Sequence, residues 1–263
     1  MYPHILSFNS REMKIDIRDS DTVSNLDTKG EMRLLFSKYR QCIGYRSDSS
    51  PNPWNRCPAI TRNIRQCPLC SYRDISRIYT IGDFSLYPHL EKELENESYY
   101  IYLAAFGEDK IKCGITKNER LNERFIEQGA DFGCALFEVN GLSLAFRIEK
   151  ELQETFGFSN AVFIKEKIAR INFDSKKAKE NLKRAIERVL ESDVFCEFSL
   201  TPRILDLGTH YPYVTNALES KKIDGKILGA KGLLLFWSDA EDNKYLINMK
   251  SQEGRFLVSF ANL

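Results

Sequence analysis

The segment from residue 41 to residue 77 most constrains what this chain can fold into. It is rich in proline, asparagine and serine and poor in large apolar side chains, so packing alone cannot stabilise it. Within it lie four cysteines: Cys42, Cys57, Cys67 and Cys70. CPLC has the tight spacing in which two thiolates reach one tetrahedral zinc ion. Scattered buried cysteines are the alternative, but zinc can add about 10 kcal/mol or more to folding, so we expect one structural zinc ion.

The cysteine usage of the whole chain indicates a reducing compartment. Seven cysteines are odd in number and unevenly spread, which suits free thiols and a metal site better than disulfides. Cys113, Cys134 and Cys196 lie in apolar patterns and are expected to be core thiols. The first residues lack a signal-peptide pattern, and no window approaches about eighteen apolar residues. We expect a cytoplasmic protein without a membrane span.

Local charge says more about partners than the net charge of +1. Residues 33–77 hold nine basic side chains against two acidic ones, whereas residues 78–100 carry a net charge of −4 and read as a solvated spacer. Such a basic module favours nucleic acid as the partner, and a solvated loop surface is the alternative. The arginines expected to contact nucleic acid are Arg40, Arg46, Arg56, Arg62 and Arg65.

Hydrophobic periodicity divides the chain into five segments without internal repeats. The expected domains are an N-terminal β segment (1–40), the zinc-binding module (41–77), an α/β core (97–172), a helix (173–192) and a small C-terminal β module (193–263). Asp174 or Ser175 can cap the predicted helix. Alternating residues and glycines predict that the last module is a curled sheet or barrel.

The predicted strand pair SYYIYLAAFGEDKIKCGIT carries polar groups that a plain hairpin would not need. Tyr102, at the end of YIY, stands ten residues before Lys112 of KCG. A predicted helix with Arg124 follows, and Glu149 lies in the later predicted helix IEKEL. These landmarks resemble the GIY-YIG nuclease superfamily, whose core is a small sheet flanked by helices. The expected fold class is therefore α+β, with a small GIY-YIG-like α/β core between the zinc module and the β module.

A narrower resemblance covers residues 40–160 well. The combination of CIG, QCPLC, YIYLAAFG, KCGIT, ERFIEQGA and FRIEKEL looks like an uncharacterised archaeal and bacterial family with a domain of unknown function. That family's usual second cysteine after CIG is Tyr45 in this chain. Cys57 is therefore expected to serve as the fourth metal ligand.

The superfamily resemblance implies a site that cleaves phosphodiesters. Glu149 would hold one divalent cation, magnesium or manganese, because such ions keep several waters and need few carboxylates. Arg124 would bind the scissile phosphate through its planar fork. Arg120 is its rival, since a spacing of four places both on one side of a helix.

The remaining landmarks would act on water and phosphate. Tyr102 would orient or deprotonate the attacking water, helped by the charge of Lys112, and Gly114 would let the backbone approach the phosphate. Each residue also has a structural alternative, since aromatic side chains on strands usually lie in the core and charged side chains on helices are usually solvated. We expect Tyr102, Lys112, Arg124 and Glu149 to converge on one face of the core.

Three functions remain open. The chain is either a metal-dependent endonuclease that its basic module steers onto DNA or RNA, or a nucleic-acid-binding module that recognises its target without cutting, within a modification or repair complex. The third is a protein-interaction scaffold, for which the acidic spacer and the last β module are the specific indications.

Overall fold

The computed structural model describes residues 2–48, 54–195 and 202–262 of the chain. These form two compact units: unit 1 is Met1–Pro88 with Asn216–Leu263, and unit 2 is His89–Thr215. Helices and strands are mixed in the described ranges, so the α+β fold class is confirmed at that level. None of the described helices is long and apolar enough to cross a bilayer. Cys196 lies outside the described residues.

The strands, in chain order, are β1 (His4–Asn9), β2 (Lys14–Asp19), β3 (Thr22–Asp27), β4 (Glu31–Gln41), β5 (Tyr45–Arg46), β6 (Trp54–Asn55), β7 (Ile60–Thr61), β8 (Ser98–Phe106), β9 (Lys110–Lys117), β10 (Phe132–Asn140), β11 (Leu205–Asp206), β12 (Leu218–Glu219), β13 (Lys222–Lys231), β14 (Leu234–Ser238), β15 (Lys244–Asn248) and β16 (Arg255–Asn262). The helices are α1 (Pro68–Arg73), α2 (Ser76–Ile81), α3 (His89–Glu95), α4 (Leu121–Gln128), α5 (Leu142–Phe156), α6 (Ile164–Ala169) and α7 (Ser175–Leu190).

Unit 1 is built on one large sheet. Its strand order is β12-β15-β14-β13-β4-β16-β1-β2-β3, and β7 also pairs with β4. Alternate residues of these strands point inward, so Ile15 and Ile17 of β2 and Met32 and Leu34 of β4 enter one hydrophobic core. The segment that follows β4, which includes α1, carries Cys42, Cys57, Cys67 and Cys70.

Unit 2 is built on a smaller sheet with the order β11-β10-β8-β9. The expected strand pair is confirmed: β8 and β9 are antiparallel and joined by a tight loop in which Gly107 has a φ of +63°. Helix α4 packs on one face, where Phe125 contacts the core around Tyr102 and Ala104. Helix α5 packs on the other face, since the Cys113 thiol lies 3.6 Å from the Glu149 carbonyl oxygen.

The predicted helix near residue 173 is confirmed as α7. Asp174 caps it, because its carboxylate accepts from the backbone N–H groups of Lys176 and Lys177. Val189 is buried on its apolar side, whereas Leu190 is exposed.

The structure groups the five predicted segments differently. Strand β4, from the first segment, lies between β13 and β16 of the last one. The first and last segments therefore share one sheet. Pairing with β13 and β16 satisfies the backbone hydrogen bonds on both edges of β4. Residues 203–215, predicted in the last module, belong to unit 2.

Candidate functional site

The four cysteines of residues 41–77 form a compact cluster. The sulfur atoms of Cys42, Cys57, Cys67 and Cys70 all lie within 4.8 Å of one another, and those of Cys57 and Cys67 are 3.9 Å apart. Four thiolates at a zinc–sulfur distance of about 2.3 Å stand about 3.8 Å apart. The cluster could therefore bind a metal ion such as zinc, with Cys57 as a member of the set.

Local backbone structure holds these cysteines together. Pro68 occupies the first turn of α1, and the preceding Cys67 has extended dihedral angles, so its thiol and that of Cys70 project toward the same point. The backbone N–H of Cys67 donates to the Cys42 sulfur over 3.2 Å. Gly44 has a φ of +79°, and a Cβ there would lie 1.7 Å from the carbonyl oxygen of Asn55. A glycine is thus required beside Cys42.

Asp74 supports the segment that carries the cluster. In the sequence it contributed only to the local net charge. Its buried carboxylate accepts from the backbone of Arg46 and Ser76 and from the Gln66 amide, at 3.1, 3.0 and 2.8 Å. Burial raises the pKa of Asp74, but these hydrogen bonds outweigh it, so the pKa is lowered overall. The sequence offers one indication of this role, because Asp74 is one of only two acidic residues in the basic stretch 33–77.

The five arginines expected to contact nucleic acid have different environments. Arg40 is half-buried and donates to the backbone oxygens of Ser251 and Glu253, so it ties β4 to the chain before β16. Arg65 forms a 2.6 Å ion pair with buried Glu253, and Arg56 pairs with Asp21. These three arginines are held by the protein itself.

Arg46 and Arg62 are the exposed arginines of that set without an ion pair among the described residues. The Arg46 guanidinium lies 5.5 Å from the centre of the Trp54 ring. Two further pairs have the same form, with Arg73 over Tyr45 and Arg77 over Tyr72. Arginines interleaved with aromatic rings are a surface on which nucleic-acid bases can stack.

In unit 2, strand pairing brings the first predicted landmarks together. Tyr102 of β8 stands directly opposite Gly114 of β9, and Lys112 stands opposite Ala104 on the same face. The ammonium nitrogen of Lys112 lies 5.8 Å from the centre of the Tyr102 ring and donates to the Cys113 carbonyl over 2.8 Å. Tyr102 and Lys112 therefore lie side by side on this face of the sheet.

Tyr102 is more enclosed than a water-activating phenol should be. Its side chain has 0% of its surface exposed, and its ring packs edge-on against Phe125 with the centroids 5.2 Å apart. The amide of Gln128 donates to its hydroxyl oxygen over 2.7 Å. Gln128 lies at the end of α4, and no pattern in the sequence around it indicates this contact.

Gly114 has a structural reason in this arrangement. A Cβ at this position would lie 2.4 Å from the Tyr102 hydroxyl oxygen and 3.0 Å from the Lys112 ammonium nitrogen. The absent side chain makes room for the buried ring. Close approach of the backbone to a phosphate stays a prediction.

Glu149 reaches this group from the opposite side of the sheet. Its backbone lies beside Cys113, whose side chain points away from Lys112. Burial raises the pKa of the Glu149 carboxyl, and the charges of Lys112 and Arg124 offset this only in part, so the pKa is raised overall. The outer edge of β9 is covered at this point, since the backbone of Ser159 is hydrogen-bonded to Ile111 and Cys113 on either side of Lys112. The expected convergence on one face is therefore wrong, because Tyr102 and Lys112 lie on one face of the sheet and the helix that carries Glu149 packs on the other.

The choice between the two rival arginines follows from their partners. Arg120 is paired with Glu127 at 2.7 Å and with Glu123 at 3.6 Å. Arg124 has a longer contact to Glu127, at 3.7 Å, and is the one whose charge acts on Glu149. Arg124 is therefore the arginine less engaged by acidic side chains of its own helix.

The comparisons with known proteins identify one family. The model of the family described as "Protein of unknown function (DUF2797)" matches residues 30–257, so the chain belongs to that family. The resemblance to an uncharacterised family is thereby confirmed, whereas membership of the GIY-YIG superfamily stays a prediction. No curated protein and no solved structure matches the chain.

Proposed function

We propose that this protein binds nucleic acid and cleaves a phosphodiester bond at the group formed by Lys112, Arg124 and Glu149. The observation that carries the proposal is the packing of the Lys112 ammonium group against the Tyr102 ring, opposite Gly114 on the same strand pair, with the half-buried Glu149 beside Cys113 of that strand. The order of these residues along the chain, which resembles that of GIY-YIG nucleases, supports the same function. Tyr102, Lys112, Arg124 and Glu149 are its proposed catalytic or positioning residues.

The side chains divide the work by charge. Arg124 binds two phosphate oxygens through its fork, and Lys112 places a second positive charge where negative charge develops as the phosphorus–oxygen bond breaks. Tyr102 is fully buried, so we give it a positioning role, in which its ring holds the Lys112 ammonium group in place. Gln128 and Gly114 fix that ring.

A divalent cation suits Glu149. Among the described residues no ion pair reaches this carboxylate, and burial raises its pKa, so a nearby cation would relieve its desolvation. Magnesium or manganese bound there would add positive charge at the phosphate and acidify a water molecule.

We further propose that the cysteine cluster holds one zinc ion in a structural role. Four thiolates complete a tetrahedral coordination shell and leave no position for a substrate. No histidine occurs between residues 5 and 88 to provide another ligand. The thiols of the cluster also suit a reducing compartment, the cytoplasm.

One observation favours a second function, recognition of DNA or RNA without cutting. Tyr102 lies too deep to touch water, and the backbone of Glu149 lies on the face of the sheet opposite Tyr102 and Lys112. In this case Lys112 and Arg124 bind a phosphate of the backbone, and the basic module, with Arg46 and Arg62, provides further contacts.

Incubation with a panel of nucleic acids separates the two functions. The full chain is mixed with double-stranded DNA, single-stranded DNA and structured RNA, in magnesium, manganese or EDTA, and both binding and product formation are measured. Cleavage that requires the metal and disappears in Arg124→Ala supports the nuclease. Binding with no product in any metal supports the non-cleaving function, and absence of binding to every substrate contradicts both.

A further inference from the structure

Unit 2 contains a cleft that none of the residues discussed above lines. It has a volume of about 520 Å³ and lies between the start of β9, the residues that follow α5 and one side of α7. Sites for small ligands usually have volumes of about 300–1,000 Å³. The cleft is therefore large enough for a ligand of the size of a nucleotide.

Two guanidinium groups from α7 line this cleft. Arg184 and Arg188 are four residues apart, which places them on the same side of the helix. Both are exposed, and neither forms an ion pair with a described residue. The Arg184 Nε atom makes a long contact, 3.5 Å, to the carbonyl oxygen of Glu180 in its own helix. Both forks are available to an incoming anion.

The other charges of the cleft are already neutralised. Asp109 is paired with Arg170 at 2.7 Å, and Lys110 is paired with Glu166 at 2.9 Å. Neither partner lines the cleft. The positive charge that a ligand meets is therefore that of the two arginines on α7.

An aromatic wall faces the arginines. Phe156 is half-buried and stacks on buried Phe158, with centroids 5.6 Å apart and 21° between the rings. The Arg188 guanidinium lies 5.6 Å from the centre of the Phe156 ring. Because Phe158 and Arg188 already cover the Phe156 ring, a planar heterocycle can stack on the outer side of the Arg188 guanidinium plane.

We infer that this cleft binds a nucleoside monophosphate unit. Its phosphate contacts Arg184 and Arg188, because two planar forks match several phosphate oxygens better than one carboxylate. Its base stacks on the outer side of the Arg188 guanidinium plane, which lies over the Phe156 ring. The unit is either a free nucleotide or the phosphorylated end of a strand. This site does not depend on the proposed cleavage, since it shares no residue with that site.

Calorimetric titration of the full chain tests this site. The probes are adenosine 5′-monophosphate, adenosine and inorganic phosphate, because a purine offers a large stacking face. We expect saturable binding of the nucleotide that is at least about tenfold tighter than that of either fragment, since phosphate and base contribute separately. No binding of the nucleotide at millimolar concentration, or equal binding of inorganic phosphate, would overturn the inference.

Matched variants locate the binding. Arg184→Gln combined with Arg188→Gln should weaken nucleotide binding at least about tenfold, and Arg184→Lys, which keeps the charge but loses the fork, should weaken it less. Lys183→Gln is the control, since Lys183 is exposed on the same helix, is paired with Glu187 at 3.8 Å and does not line the cleft. Equal affinity in the double variant and the control would contradict the site.

Two short oligonucleotides distinguish the sources of the ligand. A tetranucleotide with a 5′-phosphate that binds more tightly than the mononucleotide, and than its unphosphorylated form, identifies the strand end. Tighter binding of the mononucleotide identifies a free nucleotide. In both cases the double variant must lose the binding, and thermal unfolding must show that it is folded.

Discussion

Replacing Gly114 with alanine should destabilise unit 2, whether or not the protein binds nucleic acid. The new Cβ would lie 2.4 Å from the Tyr102 hydroxyl oxygen and 2.5 Å from the adjoining ring carbon. Real Cβ atoms do not approach this closely, so the ring must move. The ring is fully buried against Phe125 and is held by Gln128, so it has little space to do so.

The size of the effect follows from three contributions. Forcing an extra methyl group into a packed core costs about 1–3 kcal/mol. Displacing the Tyr102 hydroxyl group breaks its hydrogen bond with Gln128, which costs about 0.5–1.5 kcal/mol more. Alanine lowers the backbone entropy of the unfolded chain relative to glycine, which returns about 0.5–1 kcal/mol. We therefore expect the free energy of unfolding of unit 2 to fall by about 2 kcal/mol.

Hydrogen exchange of the β8 and β9 amides measures this change. A loss of about 2 kcal/mol should speed their exchange by about 30-fold, since about 1.4 kcal/mol corresponds to a factor of ten. Trp54 and Trp237 both lie in unit 1, so tryptophan fluorescence should report unchanged unfolding of that unit.

Gly208→Ala is the matched control in unit 2, because the nearest atom to its Cβ is 3.2 Å away and belongs to the Asp206 side chain. It should slow or speed the exchange of β8 and β9 by less than about fivefold. Exchange rates in Gly114→Ala that equal those of the control would refute the packing argument, and would return Gly114 to its predicted role at the phosphate.

Three further predictions concern unit 1. Cys67→Ser should lower the zinc content from one ion per chain toward zero and should loosen residues 41–77. Elemental analysis after purification without chelators measures the zinc content, and a wild-type ratio near zero would contradict the cluster as a zinc site. Arg46→Gln combined with Arg62→Gln should weaken nucleic-acid binding and flatten its salt dependence by about 0.9 in logarithmic slope for each phosphate that the variant no longer neutralises; an unchanged slope would argue against this surface. Burial and two neighbouring arginines lower the pKa of His4 from 6.5 to about 4, so the unfolded state binds a proton that the folded state excludes. The free energy of unfolding of unit 1 should therefore fall by about 3 kcal/mol as the pH falls from 6.5 to 4. Denaturant titrations should show this loss in the wild type and a smaller one in His4→Phe.

Local patterns predicted the elements that depend on local chemistry. The carboxylate of Asp174 before an amphipathic stretch predicts a capped helix, and α7 begins there. Alternation on both sides of GEDK predicts a hairpin, and β8 and β9 form it in the register that places Tyr102 near Lys112. Such features need only residues within one or two turns or strands of each other.

The long-range arrangement could not be read in the same way. Nothing local in β4 indicates that it pairs with β13 and β16, which follow about 200 residues later in the chain. Arg40 and Arg65 looked like free basic residues because their partners near Glu253 are equally distant in sequence. Glu149 was expected on the same face of the sheet as Tyr102, but α5 packs on the opposite face. The helix period predicts the direction of a side chain around its helix, and it does not predict the face of the sheet on which that helix packs.

The most direct test of the proposed function compares two neighbouring glutamates of α5 in a single-turnover cleavage assay with magnesium. Glu149 is half-buried and lies beside Cys113 of β9, whereas Glu151 is exposed two residues later on another side of the helix. Glu149→Gln should lower the cleavage rate by about 100-fold or more while binding persists, and Glu151→Gln should cleave like the wild type. Equal rates in the two variants would contradict the assignment of cleavage to this site.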